Sequence, residues 1–148
     1  MEVSQKLNVE AKEFFDTLAA SVAYDVSQSQ EKTVEPDQIY SGLCYKKKMK
    51  NKLGQESGVE VVIKQFVPPS CYEAEFRSSQ GTTAILYRIE AGGEGNIMVH
   101  YTEGFEGKHG SSSANYKVVS WFYARSAKKR ISRMLSSMEG FIKERRRG

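Results

Sequence analysis

The C-terminal third of the chain carries one apolar stripe at helical spacing: Tyr116, Val119, Tyr123, Ala127, Ile131, Met134, Met138 and Ile142. Steps of three and four residues place these side chains on one face of an α-helix. Trp121, Phe122, Leu135 and Phe141 widen that face. Arg125, Lys128, Lys129, Arg130, Arg133, Lys143 and Arg145 fall opposite it. The pattern predicts a helix over 116–147, with Gly140 as its one weak interior position. A helix of this length needs a broad apolar surface to lie on, and the middle of the chain supplies one.

Residues 1–8 alternate, with Val3 and Leu7 on one side, and predict a short first strand. The period then turns helical from residue 10 to about 28 through Phe14, Phe15, Leu18, Val22 and Val26, with Asn8 as the expected N-cap. Glu10 and Glu13 suit the positive end of that helix, and the polar run 27–31 closes it. Pro36, with Asp37 and Gln38 behind it, opens a second short helix, and Gly42 ends it. Beyond Gly42 the period is two. Leu43, Tyr45, Lys47 and Met49 share one strand face. In the next strand the set is Val59, Val61, Ile63 and Gln65, after a turn at 53–58. Pro68 and Pro69 stop that strand, because proline cannot donate to a ladder. Tyr72, Ala74 and Phe76 follow, then Thr83, Ile85, Tyr87 and Ile89, then Ile97, Val99, Tyr101, Glu103 and Phe105. Turns at 78–81 and 91–96 and a Gly/Ser-rich loop at 106–115 separate the elements. Five successive strands with tight connections imply an antiparallel meander with one face to bury, and the terminal helix is the expected cover.

Composition narrows the class. The 148 residues are 39% hydrophobic and 27% charged, as in an ordinary globular chain of one domain spanning 1–148. No run reaches the length of a membrane span, and the N-terminus lacks the pattern of a secretory signal, so the expected location is cytoplasmic. Cys44 and Cys71 lack metal-ligand spacing and are expected to be reduced, partly buried thiols. The net charge of +4 is uneven: residues 124–148 hold nine basic and two acidic side chains. Cations at a helix C-terminus are favoured by its dipole, and a solvated face explains the remainder more simply than a polyanion partner. Lys46, Lys48 and Lys50 fall on one side of their strand, where lysine discourages edge pairing. With no stacking motif of the single-strand-binding kind, nucleic acid is not the expected partner.

The order of strand, helix, short helix, five strands and long helix resembles the helix-grip fold of the START-like superfamily, also called SRPBCC. That superfamily includes lipid-transfer domains, polyketide cyclases and Hsp90-activator-like proteins. Several strings are similar to a bacterial family of unknown function within it: Leu7-Asn8-Val9 before Glu13-Phe14-Phe15-Asp16, Phe105-Glu106-Gly107-Lys108, and Tyr123-Ala124-Arg125-Ser126-Ala127-Lys128-Lys129-Arg130. The resemblance implies an α+β fold: a curved six-stranded antiparallel sheet wrapped around a long C-terminal helix, with two shorter helices after the first strand and a cavity inside. It transfers no catalytic residue, since one fold hosts many functions.

The inward strand faces are rich in tyrosine, and a buried hydroxyl needs a hydrogen-bond partner. A filled core with hydroxyls at its rim meets that need. So does a partly apolar ligand cavity, whose expected lining is Tyr45, Tyr72, Phe76, Tyr87, Tyr101, Glu103, Tyr123 and Met134. Lys47 and Glu103 fall on inward faces, where they would pair with each other, Lys47 would hold an acidic ligand group, or both would reach water at a strand end. His100 and His109 stand in no recognisable catalytic arrangement, and no cofactor motif or metal-binding spacing occurs. The glycines at 92–95 make a turn, since the Lys-Ser/Thr ending of a phosphate loop is missing. The reading is a binding protein for a small hydrophobic or amphipathic ligand. Its rivals are an interaction module that uses the basic helix face on an acidic protein, and an enzyme that uses Tyr101 and Glu103 as acid and base.

Overall fold

The computed structural model of the chain describes residues 1–50, 54, 56–107 and 114–147, with side chains except at Met49 and 114–124. Its elements run β1 (Glu2–Leu7), α1 (Ala11–Gln30), a 3-10 turn (Pro36–Gln38), β2 (Cys44–Lys50), β3 (Glu56–Val67), β4 (Cys71–Arg77), β5 (Gly81–Ala91), β6 (Ile97–Gly107) and α2 (Ala114–Arg147). The strands form one antiparallel sheet in the order β1-β6-β5-β4-β3-β2. It is curved, and its inner face is covered by both helices. This is the helix-grip architecture, with β1 closing the meander through β6.

Alternation places the same inner-face residues as the hydrophobic pattern does. Val3, Tyr45, Val59, Val61, Ile63, Tyr72, Ala74, Tyr87, Ile89, Ile97, Val99 and Tyr101 are all buried. Four expectations for the strands are corrected. β3 begins at Glu56, so residues 56–58 pair with β2 instead of turning. A bulge at Lys64 shifts the register between Ile63 and Gln65. One extra residue moves every later side chain to the other face. Gln65 is therefore exposed, and Phe66 packs inward against the ring of Phe15 at 5.2 Å. β6 runs on to Gly107. Its Phe105 leaves the core and is 55% exposed, with its ring over Gly81, where an added Cβ would lie 2.8 Å from it. The other expectations for 51–53, 55 and 108–113, which include His109, lie outside the described residues.

Helix α1 starts two residues later than an Asn8 cap would give. Glu10 is the N-cap, in a reciprocal capping box with Glu13. The helix ends at Glu31, whose backbone is left-handed with φ 53°. It buries Phe14, Phe15, Leu18, Val22 and Val26 against the sheet, so the cover over the inner face is shared between α1 and α2. Helix α2 presents Ala127, Ile131, Leu135 and Ile142 inward. Met134 and Met138 pack at the margin, and Phe141 is 55% exposed, outside the buried stripe. Tyr116, Val119, Trp121, Phe122 and Tyr123 belong to the part of α2 whose side chains are not described. Two polar ties fix α2 across β1: Gln5 Nε2 donates to Ser136 Oγ at 3.0 Å, and the Asn8 amide donates to Glu139 Oε2 at 2.6 Å. Both cysteines are free, and Cys44 is exposed instead of partly buried. No helix among the described residues is long and apolar enough to cross a membrane.

Candidate functional site

The register sets out the inner face as rungs. Tyr72, Tyr87 and Tyr101 stand side by side on β4, β5 and β6. Ala74, Ile85 and Glu103 form the next rung, and Val61, Phe76 and Thr83 the one after. The tyrosine rung is closed. Ring centroids lie 6.1 Å apart for Tyr72 and Tyr87 and 4.9 Å apart for Tyr87 and Tyr101. Phe14 of α1 tilts onto Tyr87 at 6.3 Å. Such tilted and edge-on contacts suit the ring quadrupole. The Tyr87 hydroxyl points at Met134 Sδ, 3.7 Å away.

Beyond that rung the cover recedes. A recess of about 510 Å³ is lined by Val59, Phe76, Thr83, Ile85, Ser57 and Ser78, with Glu103 and Arg130 on one side and Lys47 and Lys50 on the other. Phe76 and Ile85 are only partly buried. Of the eight side chains expected to line a cavity, Phe76 and Glu103 line this recess, whereas Tyr45, Tyr72, Tyr87 and Tyr101 are buried and Met134 packs beside Tyr87. The Tyr123 side chain lies outside the described residues.

Two ionic clusters flank the recess, and each contains a residue that the strand pattern alone does not reveal. Glu103, 7% exposed, accepts from the Tyr101 hydroxyl at 2.7 Å and from Arg130 Nη2 at 3.1 and 3.4 Å. Lys47 donates to Asp25 of α1 at 3.1 Å, and the Tyr45 hydroxyl donates to the same carboxylate oxygen at 2.7 Å. Lys47 and Glu103 are thus partnered separately. Arg130 reads from the helical wheel as part of the solvent face, yet its long side chain reaches back to the sheet. Asp25 is one acidic residue on an amphipathic helix, and nothing in its spacing marks it.

Burial, and then the adjacent carboxylates, push the hydroxyls of Tyr45 and Tyr101 well above the ordinary phenol range. Burial does the same for Tyr72 and Tyr87. All four remain protonated hydrogen-bond donors at neutral pH. That state suits holding a carboxylate and is poor for a general base. On the outer face of the sheet, His100 Nδ1 meets Ser4 Oγ at 2.8 Å, and its Nε2 lies 3.3 Å from Glu90 without a hydrogen bond. Ser4 and His100 are cross-strand partners, so sheet register explains their meeting. Among the described residues no group of three or more His, Cys, Asp or Glu side chains is placed to hold a metal ion.

The protein of unknown function SA2116 from Staphylococcus aureus has the same fold, with a TM-score of 0.68 at 12% identity over 100% of this chain and 96% of that one. Ara h 8.0201, a Bet v 1-like fold, gives 0.63 at 12% identity over 97% of each chain. A START superfamily protein from Mycobacterium smegmatis gives 0.53 at 9% identity, also over 97% of each. No curated protein matches the sequence. These structures share the helix-grip fold of this chain; residues 1–124 match the family described as "Domain of unknown function (DUF3284)", and the chain belongs to that family.

Proposed function

We propose that this protein binds a small amphipathic ligand in the recess between Phe76, Ile85 and Arg130. The observation that carries the reading is a contrast on one sheet face. The tyrosine rung is sealed by α1, whereas Phe76 and Ile85 keep part of their apolar surface open inside a recess of about 510 Å³. That volume lies within the range of roughly 300–1,000 Å³ typical of small-molecule sites, which combine an apolar lining with a few placed polar groups. Val59, Phe76 and Ile85 would take the ligand's apolar body. The Tyr101–Glu103–Arg130 chain and Lys47 would orient its polar end. The reading needs no bond-making step. Mass spectrometry of small molecules released from natively purified protein tests it. An amphipathic compound released by the unaltered protein and missing from Ile85→Trp is the expected result. Equal yields from both would count against it.

A second reading has its own observation. Lys128, Lys129 and Arg133 are exposed on α2, and among the described residues no carboxylate pairs with them. This face would suit an acidic protein. Salt separates the two readings, because a rim of exposed charges loses affinity with ionic strength and apolar burial does not.

A further inference from the structure

We infer that the ligand of this recess carries an anionic group, a carboxylate or a phosphate, seated on the free edge of Arg130. The inference rests on the proposed ligand-binding reading and adds the ligand's chemical class. A guanidinium has five N–H donors in a fixed plane. In Arg130 the bonds to Glu103 use Nη2 alone. The donors on Nη1 and Nε meet no acceptor among the described residues, and the side chain is 58% exposed at the wall of the recess.

Glu103 is the reason that edge is available. It is buried, and its Oε1 also accepts from the Tyr101 hydroxyl. It therefore fixes the guanidinium through one nitrogen and leaves the others directed away from the carboxylate. Planar two-point recognition of a carboxylate or phosphate is what arginine provides and lysine does not.

The charge of the lining points the same way. Among the described residues of the lining, Lys47, Lys50 and Arg130 face one carboxylate, Glu103, and Asp25 behind Lys47 offsets only that lysine. Lys47 Nζ also lies 5.4 Å from the ring centroid of Phe76, so a second cation stands over the apolar floor. A cationic ligand group would have to displace Arg130 from a carboxylate that is 7% exposed. A neutral group would leave the arginine edge unpaired in a recess that an apolar body has emptied of water. An anion meets both requirements.

The test titrates the full chain calorimetrically with three probes that share one apolar body: dodecanoate, dodecyl phosphate and dodecanol. At least one anion should bind about tenfold or more tightly than dodecanol, the size of one charge-assisted hydrogen bond. The better anion identifies the headgroup as carboxylate or phosphate. Arg130→Gln should remove that preference, and Arg130→Lys should restore part of it. Since Arg130→Gln strips a partner from buried Glu103, the paired variant E103Q/R130Q repeats the test with both charges removed, and circular dichroism checks its fold. Equal binding of all three probes overturns the anionic headgroup and leaves the recess as an apolar site. A preference that survives E103Q/R130Q overturns the role of Arg130. If no probe binds, the inference and the reading beneath it both fall.

Discussion

The inner face of the sheet is one surface with two fates. Around Tyr72, Tyr87 and Tyr101 it is packed by Phe14 of α1 and sealed. One and two rungs away, around Ile85 and then Phe76 and Thr83, it faces a recess with charged walls. The residue types on the strands differ little between these regions, since both carry aromatic and branched aliphatic side chains. What differs is the cover. Helix α1 crosses the tyrosine end with its largest side chains and then leaves Asp25 near Tyr45 and Lys47. Whether a strand face becomes core or pocket is decided by the element laid on it, and only secondarily by its own alternation.

That contrast predicts its largest effect in the core. Phe14→Ala empties a fully buried site against Tyr87 and should cost about 3–5 kcal/mol in chemical denaturation. Phe76→Ala, on the open side, should cost under about 2 kcal/mol, since part of its ring already lies outside the packing. Equal losses would abolish the distinction between the regions.

A smaller effect separates the two phenol–carboxylate pairs. Tyr101→Phe removes a donor from buried Glu103 and should cost about 1–3 kcal/mol, the penalty for under-satisfying a buried group. Tyr45→Phe removes one from Asp25, which is 33% exposed and keeps Lys47, and should cost about 0.5–1.5 kcal/mol. Thermal melts of the two variants give the ordering, and a reversed order would mean that burial does not govern these bonds.

Ile85→Trp places a large ring into the recess. Stability should change by about 1 kcal/mol or less because the space is open, whereas a well-packed site resists added volume more strongly. The same variant should lose dodecanoate binding.

The smallest effect lies far from the recess, where Arg146 of α2 clasps Glu13 of α1. The hydrogen bonds from Arg146 and from the Glu10 amide hold the Glu13 carboxyl down to about 2, below its unfolded value near 4.5. A lowered carboxyl pKa stabilises the fold above the unfolded value, and the contribution is lost as pH falls from about 4.5 through 2. Glu13→Gln should therefore be slightly less stable at neutral pH, with the deficit closing over that acid window. The pair is partly solvated, so the deficit should be modest. A deficit that stays constant across the window would contradict the pairing.

Much of the fold was legible because period two and period 3.6 each report a burial direction. Val59, Val61 and Ile63 could be placed inward from spacing alone, as could Ala127 and Ile131 on α2. The bulge at Lys64 was not legible. It adds one residue without changing composition, and Phe66, an aromatic residue at the wrong phase just before Pro68, was its only trace. Phe105 kept the right phase yet is 55% exposed, since alternation assigns a face and not a cover. For the candidate site, the sequence placed Phe76 and Glu103 on the inner face. It could not supply Asp25 or Arg130 as partners, because their contacts join a helix to a strand 20 or more residues away. Side-chain reach and helix crossing decide such meetings.

The division of the inner face is tested most directly by methyl-resolved NMR during titration with dodecanoate. The account predicts saturable shifts at Val59 and Ile85, with Leu7, Val99 and Leu135 in the sealed core unmoved. Shifts concentrated among those buried methyls, or none at Val59 and Ile85, would contradict it.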